Sequence, residues 1–157
     1  MKKFLLALDP SPQSRRAAEY LAEVAGPLPG CEVLLVMVLS RWPVAVPAPV
    51  SDEPLPTPGE VHGAEDAQRE MAAARAFIVE MSRLLLRSGL DQARVKRLIV
   101  PQERSVAQAI IAMAESTGCD TIVVGRRNLS KVESLVLGSV SADLVKQAVG
   151  RTVWVVE

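Results

Sequence analysis

Residues 121–141 read TIVVGRRNLSKVESLVLGSVS, and this stretch decides the architecture. Thr121 to Val124 is a short, β-branched, apolar run closed by Gly125. That length and composition fit a strand buried on both faces. A polar loop follows from Gly125 to Gly138. Ser139 then opens a segment in which Val140, Leu144, Val145 and Ala148 fall on one helical face. The stretch therefore reads strand, glycine-bounded loop, helix.

The same unit recurs along the chain. Phe4 to Leu8 is an apolar run that stops at Asp9-Pro10-Ser11-Pro12, and Ala17, Tyr20, Leu21 and Val24 follow at helical spacing up to Gly26-Pro27. Val33 to Leu39 reads as the second strand. Ala67, Met71, Ala74, Ile78, Met81 and Leu85 keep one face apolar and predict a long helix over 64–87, stopped by Ser88-Gly89. Val95 to Val100 is a third strand, and Val106, Ile110, Met113 and Ala114 mark a helix ending at Gly118. Thr152 to Val156 is the fifth strand. Alternation of this kind predicts an α/β fold: one three-layer, doubly wound domain spanning 1–157, with a five-stranded, mostly parallel sheet and helices on both faces. Ser40 to Gly63 breaks the rhythm with six prolines and is expected to be a mobile, Pro-rich excursion.

Composition removes several function classes. Lys+Arg and Asp+Glu are both 18, so no cationic excess exists to displace counterions from nucleic acid. Aromatic residues make up 3%, too few for base-stacking platforms. Cys31 and Cys119 show no paired spacing and His62 is the single histidine, so the common Cys/His zinc sites cannot be assembled within one chain. The first apolar run is shorter than a secretory h-region, and the longest, Val33 to Leu39, is far below a membrane span. The reading is a soluble, reduced, cytoplasmic protein without nucleic-acid or membrane partners.

In doubly wound sheets ligands bind beyond the carboxyl ends of strands, where strand order reverses. That rule points to Asp9 to Ser14, to the Val38 region, and to Gly125 to Ser141. Glycine permits close backbone approach to a phosphate, and a helix start offers unpaired N–H groups with a positive dipole end. Ser130, Ser139 and Ser141 add hydroxyls, and Arg126 and Arg127 add charge. Neither a Walker loop nor a G-x-G-x-x-G after the first strand is present. Asp9, Ser11 and Ser14 are equally competent as caps of the first helix.

Gly125, two residues, Asn128, nine residues, then Gly138-Ser139 closely follow the Gly-x-x-Gly-(nine residues)-Gly-Ser/Thr mark of one family, and the chain resembles the universal stress protein family over almost its whole length. The strand ending in Asp9, with Ser11 and Ser14 soon after, matches the family's start. The resemblance implies an adenine-nucleotide site of the ATP-binding branch. Asp9 would contact the base or ribose end, Val38 would pack near adenine, and Val124 and Gly125 would close the fourth strand. Arg127, Asn128, Gly138, Ser139 and Val140 would line ribose and phosphates, with Ser141 beside them. Mg²⁺ would be held by the phosphates. Two positions depart from the pattern: Asn128 stands where the family has its second glycine, and Glu103 stands where a glycine often precedes the third helix. Asn is the residue after glycine that best tolerates a left-handed backbone, but its side chain crowds a phosphate.

The resemblance also implies a homodimer paired through the C-terminal strand around Trp154. The expected function is an ATP-binding, stress-response switch that acts on a protein partner. Two alternatives stand beside it: a slow ATPase, with Glu133 or Asp143 as the available carboxylates, and a dimeric scaffold of the same fold that has lost its nucleotide.

Overall fold

The computed structural model describes residues 2–43, 64–126 and 139–157. Among the described residues five strands alternate with four helices: β1 (Lys3–Leu8), α1 (Pro12–Ala25), β2 (Glu32–Leu39), α2 (Ala64–Arg87), β3 (Val95–Pro101), α3 (Val106–Thr117), β4 (Thr121–Gly125), α4 (Ser139–Gln147) and β5 (Thr152–Val156). A single 3₁₀ turn, Gln92–Arg94, precedes β3. The strand order is β3-β2-β1-β4-β5, and every neighbouring pair is parallel. The sequence called for a mostly parallel sheet, and the sheet is wholly so. The Pro-rich excursion expected at 40–63 lies outside the described residues from 44 onward.

Strand alternation divides the core into two layers. Phe4, Leu6 and Leu8 of β1 join α1 and α2 in one cluster, with Leu35 and Met37 of β2 beside them. Leu5 and Ala7 join the other cluster with Ile110 of α3, Leu144 of α4, and Ile122 and Val124 of β4. Each of the six residues that define the apolar face of α2 is buried, which is why that helix runs from Ala64 to Arg87 as its periodicity requires. β3 extends one residue further than its apolar run, taking in Pro101. The strand lies at the sheet edge, where a residue without an N–H is tolerated.

Helix ends follow local chemistry. Ser11 caps α1 from an extended conformation, its Oγ accepting the Ser14 N–H at 3.2 Å, and Pro12 takes the first helical position, where a missing N–H costs nothing. Ser105 caps α3 in the same way, and Gly118 closes that helix with a left-handed φ of 67°. Among the described residues no helix is long and apolar enough to cross a membrane.

The order reverses beside β1. β2 and β3 lie on one side of it, β4 and β5 on the other. The carboxyl ends of β1 and β4 therefore face a crevice between two outgoing connections, one to each layer.

In β5, Trp154 and Val156 belong with the α1/α2 layer and Val153 and Val155 with the other. The Trp154 ring packs within its own chain, 5.4 Å from Phe4 and 6.0 Å edge-on from Tyr20. Trp154→Ala should lower stability by about 3 kcal/mol in a urea titration, while Trp154→Phe should recover most of it. An unchanged midpoint for the alanine variant would show that these ring contacts contribute nothing.

Candidate functional site

At the crevice the end of β1 is tied to the first turn of α1. The Asp9 N–H donates to Ser14 Oγ at 3.0 Å, and Ser14 Oγ donates in turn to Asp9 Oδ1 at 2.5 Å. The Ser11 hydroxyl donates to the same carboxylate oxygen. Ser11, not Asp9, is the helix cap. Asp9 is thus held as a charge-assisted acceptor at the strand's end, with two serines fixing its rotamer. Ser14 is 4% exposed, so both of its hydrogen bonds are screened from water.

Gly125 sits across from this knot. A Cβ placed on it would lie 2.5 Å from the Gln13 carbonyl oxygen and 2.9 Å from the Ser14 nitrogen. The start of α1 therefore rests directly on the backbone of β4, and only glycine admits that approach. The sequence reading assigned this glycine to close approach by a phosphate; the neighbour that demands it is α1.

Between these groups lies a cleft of about 180 Å³. Its apolar side is formed by Ala7, Val36, Val38, Val106, Ile110 and Val124, and its polar side by Asp9, Ser11, Ser14, Ser139 and Ser141. All seven described residues that the family resemblance placed at the site line it: Asp9, Val38, Val124, Gly125, Ser139, Val140 and Ser141. Arg127, Asn128 and Gly138 lie outside the described residues. The sequence reading missed the wall given by α3. Val106 and Ile110 sit one turn apart, and that spacing cannot distinguish a cleft wall from a helix core.

Charge around the cleft is sparse among the described residues. Asp9 is the one ionisable lining group, and the start of α4 brings the positive end of a nine-residue helix. Arg126 does not line the cleft. Its N–H donates to the Val156 carbonyl at 2.7 Å, and its guanidinium pairs with Glu157 at the end of β5. Glu103 also lies elsewhere, in a groove of about 490 Å³ along α3 with Arg104, Gln108 and Met113. Its carboxylate therefore does not line the described cleft. A third cleft of about 420 Å³ opens at the amino ends of β1, β2 and β3, with Lys3, Lys96 and Cys119 in its lining. Burial pushes the Cys119 thiol up from its ordinary value, opposed by its contact with Thr117 at 3.3 Å. Both other clefts are roomier, but neither lies at the strand reversal.

The arrangement suits a ligand with one flat apolar end and one hydroxylated or anionic end. The aliphatic wall takes the first, and the serine hydroxyls with the α4 start take the second. A nucleotide has this division. Among the described residues no group of three His, Cys, Asp or Glu side chains could hold a metal ion.

Comparison with known proteins agrees with this geometry. The profile of the universal stress protein family matches residues 1–156. No curated protein matches the sequence. Among solved structures, a universal stress protein from Archaeoglobus fulgidus in complex with dAMP is 18% identical, with 100% of this chain and 98% of that one covered and a TM-score of 0.65. A universal stress protein family member from Arabidopsis thaliana with AMP bound is 18% identical, covering 99% and 90%, with a TM-score of 0.65. A family protein from Burkholderia pseudomallei is 22% identical, covering 98% and 94%, with a TM-score of 0.66. At these identities the likeness establishes the fold.

Two substitutions test the geometry. Gly125→Ala forces a carbon into the α1 backbone and should destabilise the chain by about 1–3 kcal/mol in urea titration. Ser14→Ala removes the acceptor of the Asp9 N–H and a donor to its carboxylate, with an expected loss of about 1–3 kcal/mol. Wild-type stability in either variant would contradict the packing described.

Proposed function

The chain belongs to the universal stress protein family, and on that footing we propose that it binds an adenine nucleotide, ATP or AMP, in the cleft at the carboxyl ends of β1 and β4. One observation carries the reading: a single cleft at the strand reversal joins an all-aliphatic wall to a serine-lined mouth and a helix start. The relatives with dAMP and AMP bound on the same fold support it.

In this reading the base lies between Val38, Val124 and the α3 wall. Asp9, oriented by Ser11 and Ser14, accepts hydrogen bonds from the base or ribose end. The phosphates settle against Ser139, Val140 and Ser141 at the start of α4, with Gly125, Arg127, Asn128 and Gly138 completing the site as the family resemblance implies. When Mg²⁺ accompanies ATP, the phosphates hold it. Nucleotide state is then a signal passed to a protein partner in the cytoplasm.

The proposal extends to a homodimer paired along β5. That strand is an edge, and edges need pairing or cover. Val145 on the neighbouring α4 and Val149 just beyond its end stand exposed, 56% and 84% accessible, and add apolar surface near that edge.

Calorimetric titration of nucleotide-stripped protein should show ATP or AMP binding in the micromolar range, about −8 kcal/mol. Val38→Asp, which places a charge against the base, should weaken it at least about tenfold. No heat up to millimolar nucleotide would overturn the nucleotide reading and favour the scaffold alternative. Sedimentation at micromolar protein should give the dimer mass; a monomer throughout would overturn the β5 pairing.

A further inference from the structure

The amino ends of β1, β2 and β3 border the cleft of about 420 Å³, at the other end of the sheet from the strand reversal's cleft. α2 covers one face of β3, and on the other face α3 packs over β2 rather than β3. That corner of the sheet is left as a hollow. Register sets out its floor. On the α3 side one row runs Lys96, Leu34, Leu5, Ile122 and Val153 across the sheet. Four members are apolar, and Lys96 at the edge is the one charge. Leu98, next on the same face of β3, stays half-buried and lines the cleft with Leu34.

The floor suits hydrocarbon, because its polar atoms are already engaged. The Thr117 hydroxyl donates to the Met113 carbonyl and contacts Cys119 Sγ at 3.3 Å. Burial raises the Cys119 thiol above its ordinary value, so no thiolate faces the hollow at neutral pH. The carboxyl end of α3 has its Ala114 and Glu115 carbonyls taken by the Gly118 N–H.

The rim is cationic. Lys3 lies 3.6 Å from Glu32, its register partner on β2, and the two charges offset each other. Lys96 is exposed and, among the described residues, forms no ion pair. Arg97 lines the cleft too, with strand alternation turning it to the α2 side. A lysine facing inward on an edge strand also guards that edge against pairing. Guarding needs the charge but not the hollow in front of it, whose volume falls in the range of small-molecule sites, about 300–1,000 Å³.

We propose that the amino-end cleft is a second ligand site, for a medium-chain acyl carboxylate whose chain lies on Leu34 and Leu98 and whose carboxylate pairs with Lys96. The site shares no lining residue with the cleft at the carboxyl ends and does not rest on the nucleotide reading. Chain burial sets the affinity, at ~4-fold per methylene taken out of water. The exposed ion pair adds up to ~5-fold, and so sets the preference for a charged ligand over a neutral one.

The test titrates octanoate and octanol into the full chain and follows the methyl groups of Val33, Leu34, Val95 and Leu98 by NMR. Wild type should bind octanoate saturably, with Kd below about 1 mM, and about threefold or more tightly than octanol. Hexanoate, two methylenes shorter, should bind ~10-fold more weakly. Lys96→Gln changes an exposed side chain and should remove the octanoate preference while leaving octanol within about twofold; Lys96→Arg should keep the preference. Equal binding of octanoate and octanol by wild type overturns the carboxylate assignment, and so does a preference that survives Lys96→Gln. Octanoate shifts that do not saturate, or that gather away from these four residues, overturn the site. A titration with ATP reads the other cleft separately, so either reading can fail while the other stands.

Discussion

The first turn of α1 rests on bare backbone at Gly125, and the crevice depends on that contact. Gln13 and Ser14 come close enough that no side chain fits on the fourth strand's last residue. The approach draws the ends of β1 and β4 together under one helix start. It also places Ser14 where its hydroxyl can bond both the N–H and the carboxylate of Asp9. Remove the contact and the helix must lift, the Asp9 knot must loosen, and the cleft loses one side. Glycine here serves packing between backbone segments, as the third glycine of a dinucleotide fold does, and not a left-handed turn.

Much of this was legible in the sequence because each layer follows a strong period. Apolar faces at helical spacing placed α2 and bounded α3 and α4, and continuous β-branched runs placed the strands. The carboxyl-end rule and the family resemblance then selected Asp9, Val38, Val124, Gly125 and Ser139 to Ser141, and the fold brings these together in one cleft. What remained hidden has physical reasons. Val106 and Ile110 carry the same spacing whether they face a core or a cavity, so a wall of the cleft read as core. Ala7 read as one more apolar residue, because its place beside Val36 and Val124 is set only when three strands are aligned in register. Pro101 fell just outside the strand read over Val95 to Val100, because its place at a sheet edge is a property of topology. Trp154 read as a candidate for a surface between copies, yet its ring has partners in Phe4 and Tyr20.

The cleft separates its two chemistries by structural origin. Its apolar wall comes from strand residues of one pleat face and from α3, elements whose burial is needed for folding in any case. Its polar side comes from connection residues and helix starts, where Ser and Asp are favoured because they satisfy free backbone groups. Stability and recognition therefore draw on the same residues at Asp9, Ser11 and Ser14. Arg126, the charge nearest the end of β4, is committed to Glu157 and the Val156 carbonyl. Among the described residues the positive potential for an anion comes from the starts of α1 and α4.

The central claim is that an adenine nucleotide sits at the carboxyl ends of β1 and β4, with its base against the aliphatic wall. Methyl-resolved NMR during ATP titration tests it most directly. The account predicts the largest shifts at the methyl groups of Ala7, Val38, Val106, Ile110 and Val124, saturating together at one affinity. Shifts gathered instead around Val95 and Leu98 at the amino ends of the strands, or around Ala109 and Met113 on the flank of α3, would contradict it.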